Sequence, residues 1–151
     1  MKVAVSACLL GVRCRFDGRS KPSMEVQRFL ECHECQVVKI CPEIMGGLPI
    51  PHPPHEQRVL DGQVRVVDAE GNDHTEAFEA GARAACALVC DSGCTHAILK
   101  AKSPSCGVGE VYDGTFSDVL VPGDGVATKM LKEAGVVVAT EKNFRQHFGC
   151  E

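Results

Sequence analysis

The chain has 151 residues, with 16 Lys+Arg against 20 Asp+Glu and a formal net charge of −4. At about 100–200 residues per domain, residues 1–151 make one domain, large enough to fold without a disulfide or metal staple. A composition 44% hydrophobic and 24% charged excludes a disordered tail, and no apolar run approaches the ~18 residues of a membrane span. No Trp, a single Tyr and the acidic balance argue against nucleic acid as a partner.

Residues 2–7 (KVAVSA) are a β-branched run that reads as a first strand. Pro22 stands where a first helical residue belongs, and Met24, Val26, Phe29 and Leu30 give an apolar face running to Cys32. Residues 37–40 read as a second strand, closed by Cys41-Pro42. Residues 46–54 are too rich in Gly and Pro for a helix or a central strand. Residues 63–67 read as a strand entering a turn at 70–73, one arm of a hairpin. Thr75 caps a helix to about Asp91, with Phe78, Gly81, Ala82, Ala85, Leu88 and Val89 along one stripe. A third strand spans 96–99, a loop 102–107 and a small hairpin 111–116. A helix over 126–134 stops at Gly135 before a fourth strand at 136–139, and Phe144 and Phe148 lie on a closing helix. Strand–helix alternation with continuously apolar strands implies an α/β domain, a mostly parallel sheet with helices on both faces in a Rossmann-like three-layer arrangement.

The unusual feature is ten cysteines. The segment before Cys8 is shorter than the apolar core of about 7–15 residues that a secretion signal requires, so the protein reads as cytoplasmic. In a reducing compartment, clustered cysteines serve metals or catalysis more often than disulfides. Ligands of an open parallel sheet bind beyond the carboxyl ends of its strands. Cys8, Cys41 and Cys106 each fall at or just after such an end. Three thiolates meeting there can hold a metal or cluster with one coordination position open; three buried packing cysteines are the alternative. Glu43 is placed to act as a general base, and Ser103, Ser105 and the amides around Gly107 to polarise a substrate. The candidate substrate contacts are Ser105, Gly107, Asp17 and Lys21. Cys14 can serve as a fourth ligand or a resolving thiol. Cys32 and Cys35 form a C-x-x-C that, with Cys90 and Cys94, makes a possible zinc site, or else a surface pair beside core cysteines. Cys86 and Cys90 share one helix face. His52 and His55 sit in a proline-rich loop as ligands or as its decoration, and Cys150 is a terminal, unpaired thiol.

Five motifs occur in order: Ser6-Ala7-Cys8-Leu9-Leu10-Gly11, Cys14-Arg15-Phe16-Asp17-Gly18, Cys41-Pro42-Glu43, Gly46-Gly47-Leu48-Pro49 and Ser103-Pro104-Ser105-Cys106-Gly107. In these the chain resembles a bacterial and archaeal family, long catalogued as a domain of unknown function, that includes the thiouracil desulfidases. The resemblance runs through Tyr112-Asp113-Gly114 and the strand after Gly135. It implies a [4Fe–4S] cluster held by Cys8, Cys41 and Cys106, with a fourth iron open to the substrate's sulfur. It further implies that Glu43 and Ser103 flank the substrate, Ser105 being the other serine of that motif. The reaction implied is non-redox, hydrolytic loss of sulfur from a small thiolated heterocycle. The family often carries an arginine where His52 stands here. An iron–sulfur or sulfur carrier without turnover, and a zinc-binding module, are the competing functions.

Overall fold

The β-branched start of the chain forms strand β1 (Lys2–Ser6) in the computed structural model, which describes residues 1–149. Cys150 lies outside the described residues. A short 3-10 helix (Ala7–Leu10) follows β1 directly, and Gly11, at φ +90, turns the chain out of it. Helix α1 spans Met24–Cys32. Its cap is Ser23, whose Oγ accepts from the Val26 N–H at 3.3 Å, so Pro22 precedes the helix and does not open it. Strand β2 (Gln36–Ile40) leads into α2 (Pro42–Met45), a single turn hidden from sequence reading by its length.

Strands β3 (His55–Leu60) and β4 (Gln63–Asp68) pair antiparallel through Asp61-Gly62, both at positive φ. The hairpin expected downstream of residue 67 therefore closes upstream. The later turn, at 70–73, leads instead into α3 (Thr75–Asp91). Thr75 is the first residue of that helix and not its cap. Its hydroxyl accepts from the Val66 N–H and donates to the Asp73 carboxylate. Next come β5 (His96–Leu99), β6 (Glu110–Tyr112), β7 (Leu120–Pro122), α4 (Val126–Glu133), β8 (Val137–Thr140) and α5 (Phe144–His147). β6 and β7 form a second hairpin whose return arm lies beyond the expected 111–116.

Four parallel strands in the order β2-β1-β5-β8 make the central sheet. Val3 and Val5 pack with Phe29 of α1 and Phe144 of α5. Ala4, Ala97 and Leu99 pack with Ala85 and Val89 of α3 and Leu131 of α4. β1 leads through α1 to β2 on one side, while β5 leads through α4 to β8 on the other. The crevice between β1 and β5 is where such a reversal of winding opens a site.

Glycines bring α2 onto α3. A Cβ on Gly81 would sit 1.8 Å from the Pro42 carbonyl oxygen, and one on Gly46 would sit 2.1 Å from that of Ala77. Backbone touches backbone at both points, so nothing can yield without moving an element. Gly81→Ala is expected to cost about 3 kcal/mol, the upper range for overpacking, read as a lowered urea midpoint at unchanged slope.

Candidate active site

A cavity of about 490 Å³ opens at the carboxyl ends of β1, β2 and β5. Cys8, in the 3-10 helix after β1, lines it, as do Cys41, which caps α2, and Cys106, in the loop after β5. The edge is tied together where Ser6 Oγ accepts from the Lys100 N–H at 3.0 Å. Cys14 joins these three on the cavity wall, and the Cys41 thiol donates to its backbone carbonyl at 3.7 Å.

Burial governs the chemistry of these thiols. Desolvation pushes Cys106 up to about 12, against a hydrogen bond from Ser6 that favours the thiolate. Cys14 rises to about 11: the Cys41 hydrogen bond lowers it, but the Cys8 thiol and burial outweigh that. Cys41 is raised by the Cys14 hydrogen bond and by burial. Sulfurs in this state are protonated and poorly nucleophilic unless a metal centre takes the place of the protons.

Glu43, two residues past Cys41 on α2, is held from both sides. Ser105 Oγ donates to its Oε2 at 2.9 Å, and His52 Nε2 lies 2.9 Å from its Oε1, close as a charge pair but poorly aligned as a hydrogen bond. His52 Nδ1 meets the Pro53 carbonyl at 2.7 Å, and a carbonyl only accepts, so Nδ1 carries a proton. A proton on Nε2 as well makes His52 a cation beside the carboxylate. Its pKa is accordingly raised, by Glu43 foremost, against the lowering effect of burial. Ser103 Oγ lies 2.9 Å from Ser105 Oγ and accepts from the N–H groups of Ser105 and Cys106, each at 3.1 Å. With the Ser105 proton directed at Glu43, Ser103 is the donor to Ser105. The result is a hydroxyl chain from Ser103 through a buried Ser105 (1% exposed) to the carboxylate.

The remaining wall includes Phe16, Tyr112 and Phe116, rings that sequence reading did not assign to the site, with Arg15, Lys100 and Lys102. The β3 strand clasps this wall. Gln57 Nε2 donates to the carbonyls of Pro104 and Asp124, and the Glu56 carboxylate accepts from the N–H groups of Gly114 and Phe116.

Three expected substrate contacts lie off the cavity wall. Asp17 pairs with Arg15 and accepts from the Arg19 N–H. Lys21 uses its backbone N–H on the Cys8 carbonyl. Gly107 gives its N–H to the Ser103 carbonyl, so that amide is spent inside the loop. The four thiols suggested for zinc do not gather among the described residues. Cys35 packs against the layer of α1 and α5, whereas Cys94 belongs to the layer of α3 and α4 across the sheet. Cys86 donates to the Met130 carbonyl, and its pKa is raised mainly by burial. His55 lines the cavity, and burial lowers its pKa.

An α/β sheet that gathers thiols, a carboxylate and hydroxyls around one cavity has the make-up of an enzyme site. Comparison with known proteins narrows it. The profile of the 2-thiouracil desulfurase family matches residues 3–143, and the chain belongs to that family. The chain is 37% identical over 145 residues to YbbK, an uncharacterized protein of Bacillus subtilis (strain 168), covering 92% of this chain and 95% of that one. Among solved structures, it is similar to the [4Fe-4S]-dependent thiouracil desulfidase TudS. That match has a TM-score of 0.86 and 38% identity, over 97% of this chain and 95% of the other.

The His52–Glu43 pair has a signed consequence. A histidine with a raised folded pKa adds stability that is complete below its unfolded value of about 6.5 and is lost as pH rises through the folded value. Thermal midpoints of wild type and His52→Gln should therefore differ most below about pH 6.5 and converge as the pH rises through the raised folded value. A pH-independent gap would mean that His52 is not charged there.

Proposed function

We propose that this protein is a [4Fe–4S]-dependent desulfidase that replaces the sulfur of a small thiolated pyrimidine with oxygen. In this reading, residues 1–151 are one Rossmann-like three-layer domain, cytoplasmic, with the cluster beyond the carboxyl ends of the strands. Among the described residues, no helix is long and apolar enough to cross a membrane. The observation that carries the reading is the meeting of three strand-end thiols with the Glu43 carboxylate around one cavity.

The donor set fits the cluster. A single tetrahedral zinc needs sulfurs about 3.8 Å apart, from Zn–S bonds near 2.3 Å. Among the described residues, no cysteine belongs to a set of three ligating side chains whose donor atoms lie within 4.8 Å of one another. Thiols spread around a cavity suit a polynuclear centre better than one ion. Cys8, Cys41 and Cys106 would hold it, leaving Cys14 to pack and hydrogen-bond beside Cys8 and Cys41. A cluster held there would supply a thiophilic Lewis acid able to polarise C=S.

The chain's own groups do the rest. Phe16, Tyr112 and Phe116 give a planar ring apolar walls and help to exclude bulk water. Glu43 accepts one proton from the attacking water as its oxygen bonds to the ring carbon. The C–S bond then breaks, the carbonyl forms, and both water protons leave with the sulfur as hydrogen sulfide, the one on Glu43 passing back through Ser105 and Ser103. His52 steadies the carboxylate. Ser103, at the cavity face, moves a proton at Oγ, with Ser105 as the link back to Glu43. The two backbone N–H groups on Ser103 Oγ stabilise charge there as the proton shifts. A carrier protein needs neither this base nor this hydroxyl chain.

Glu43→Gln keeps the size of the side chain but removes the base. Conversion of thiouracil to uracil by the anaerobically reconstituted variant should fall about 100- to 10,000-fold with iron content unchanged, whereas Cys106→Ser should lose the iron. Wild-type turnover in Glu43→Gln would remove Glu43 from the mechanism. Iron without turnover in the wild type would favour the carrier.

A further inference from the structure

A second cluster of ligating side chains stands behind the cavity wall, apart from the cysteines. His55 of β3, Asp68 of β4 and His74, the residue before α3, bring one donor atom each to within 4.8 Å of the others. His55 Nε2 and His74 Nδ1 are 2.8 Å apart. The ring of His55 is fixed because its Nδ1 donates to the Pro53 carbonyl at 2.8 Å, leaving Nε2 as a bare lone pair aimed at His74. An imidazole whose far nitrogen is anchored to a carbonyl, with the near one unprotonated, is the usual form of a histidine metal ligand. Asp68 is equally fixed. Its Oδ1 accepts from the N–H groups of Glu70 and Asn72, and its Oδ2 accepts only the Asn72 side-chain amide. His55 and Asp68 are buried, while His74 is only half-buried, so an ion has a way in.

We propose that His55, Asp68 and His74 bind a single divalent ion of the zinc class. The donor set, two neutral imidazoles and a carboxylate, matches the borderline preference of zinc, cobalt and nickel and leaves at least one position for water. In the metal-free arrangement the His74 Nδ1 proton bridges to His55. Binding moves that proton to Nε2 of His74, so both imidazoles ligate as neutral groups and the Asp68 carboxylate offsets one of the ion's two charges. Zinc–nitrogen bonds of about 2.0–2.1 Å set the two nitrogens roughly 3.3 Å apart, so the rings need to part by only about 0.5 Å. The ion ties β3, β4 and the start of α3 together behind residues 52–55, the segment from which His52 reaches Glu43. The site does not depend on the desulfidase reading.

The test uses cluster-loaded protein with one added equivalent of zinc, followed by metal analysis and zinc-edge X-ray absorption. One tightly held zinc per chain is expected, with nitrogen and oxygen neighbours at about 2.0 Å and no sulfur shell near 2.3 Å. His74→Ala and His74→Gln keep the backbone bonds of a half-buried residue and should bind zinc at least about tenfold more weakly, without the zinc-dependent rise in thermal midpoint that the wild type shows. Zinc bound through sulfur, or held equally well by both variants, would overturn the proposal. So would a wild type that takes up no zinc.

Discussion

The position of β1 in the sheet is the constraint on which the site depends. It pairs in parallel with β2 on one side and β5 on the other, Ser6 standing beside Ile40 and Val5 beside Ile98. Three chain exits are thereby forced to one edge, and each exit carries a cysteine within a few residues. No local rule draws Cys8, Cys41 and Cys106 together; their separations along the chain are large, and only strand order makes them neighbours. The same order puts α1 and α5 on one face and α3 and α4 on the other, shutting water out beneath the edge. Desolvation then raises the proton affinity of Cys106, the Cys14 hydrogen bond and burial together raise that of Cys41, and a metal centre is the natural counterweight to such burial.

The second level of organisation is the holding of Glu43. Its helix is one turn long and has little stability of its own. It is fixed by backbone contact between Pro42 and Gly81 and between Gly46 and Ala77, where any side chain would intrude. The carboxylate is then gripped from the proline-rich loop and from the serine loop after β5. That serine loop is itself pinned by Gln57 and by the start of α4, where the Val126 and Ala127 N–H groups donate to the Pro104 and Ser105 carbonyls.

Much of this was legible in the chain. The four sheet strands announce themselves as short apolar runs closed by Gly, Pro or polar residues, and their alternation with helices leaves few topologies. The cysteines were legible because each follows such a run. Strand β3 was not: His55, Glu56, Gln57 and Arg58 look like a polar linker, since these side chains are spent gripping other loops. The Asp61-Gly62 turn was the available signal. His52 on Glu43 was also hidden, because the contact is made across residues 46–54, which have no periodicity to read. Asp17, Lys21 and Gly107 lie off the cavity wall for a common reason. A motif marks residues that matter without telling whether they face the cavity or hold the loop that does.

The Pro53 carbonyl accepts from two imidazoles, those of His52 and His55, and so holds a proton on Nδ1 of both. One oxygen thus orients the partner of the Glu43 carboxylate on one side and the His55–His74 pair on the other. Such an acceptor works as a pivot. Sequence drift that shifts this one peptide would misalign two rings together, so residues 52–55 are bound to change in concert, with Glu43 on one flank and His74 on the other.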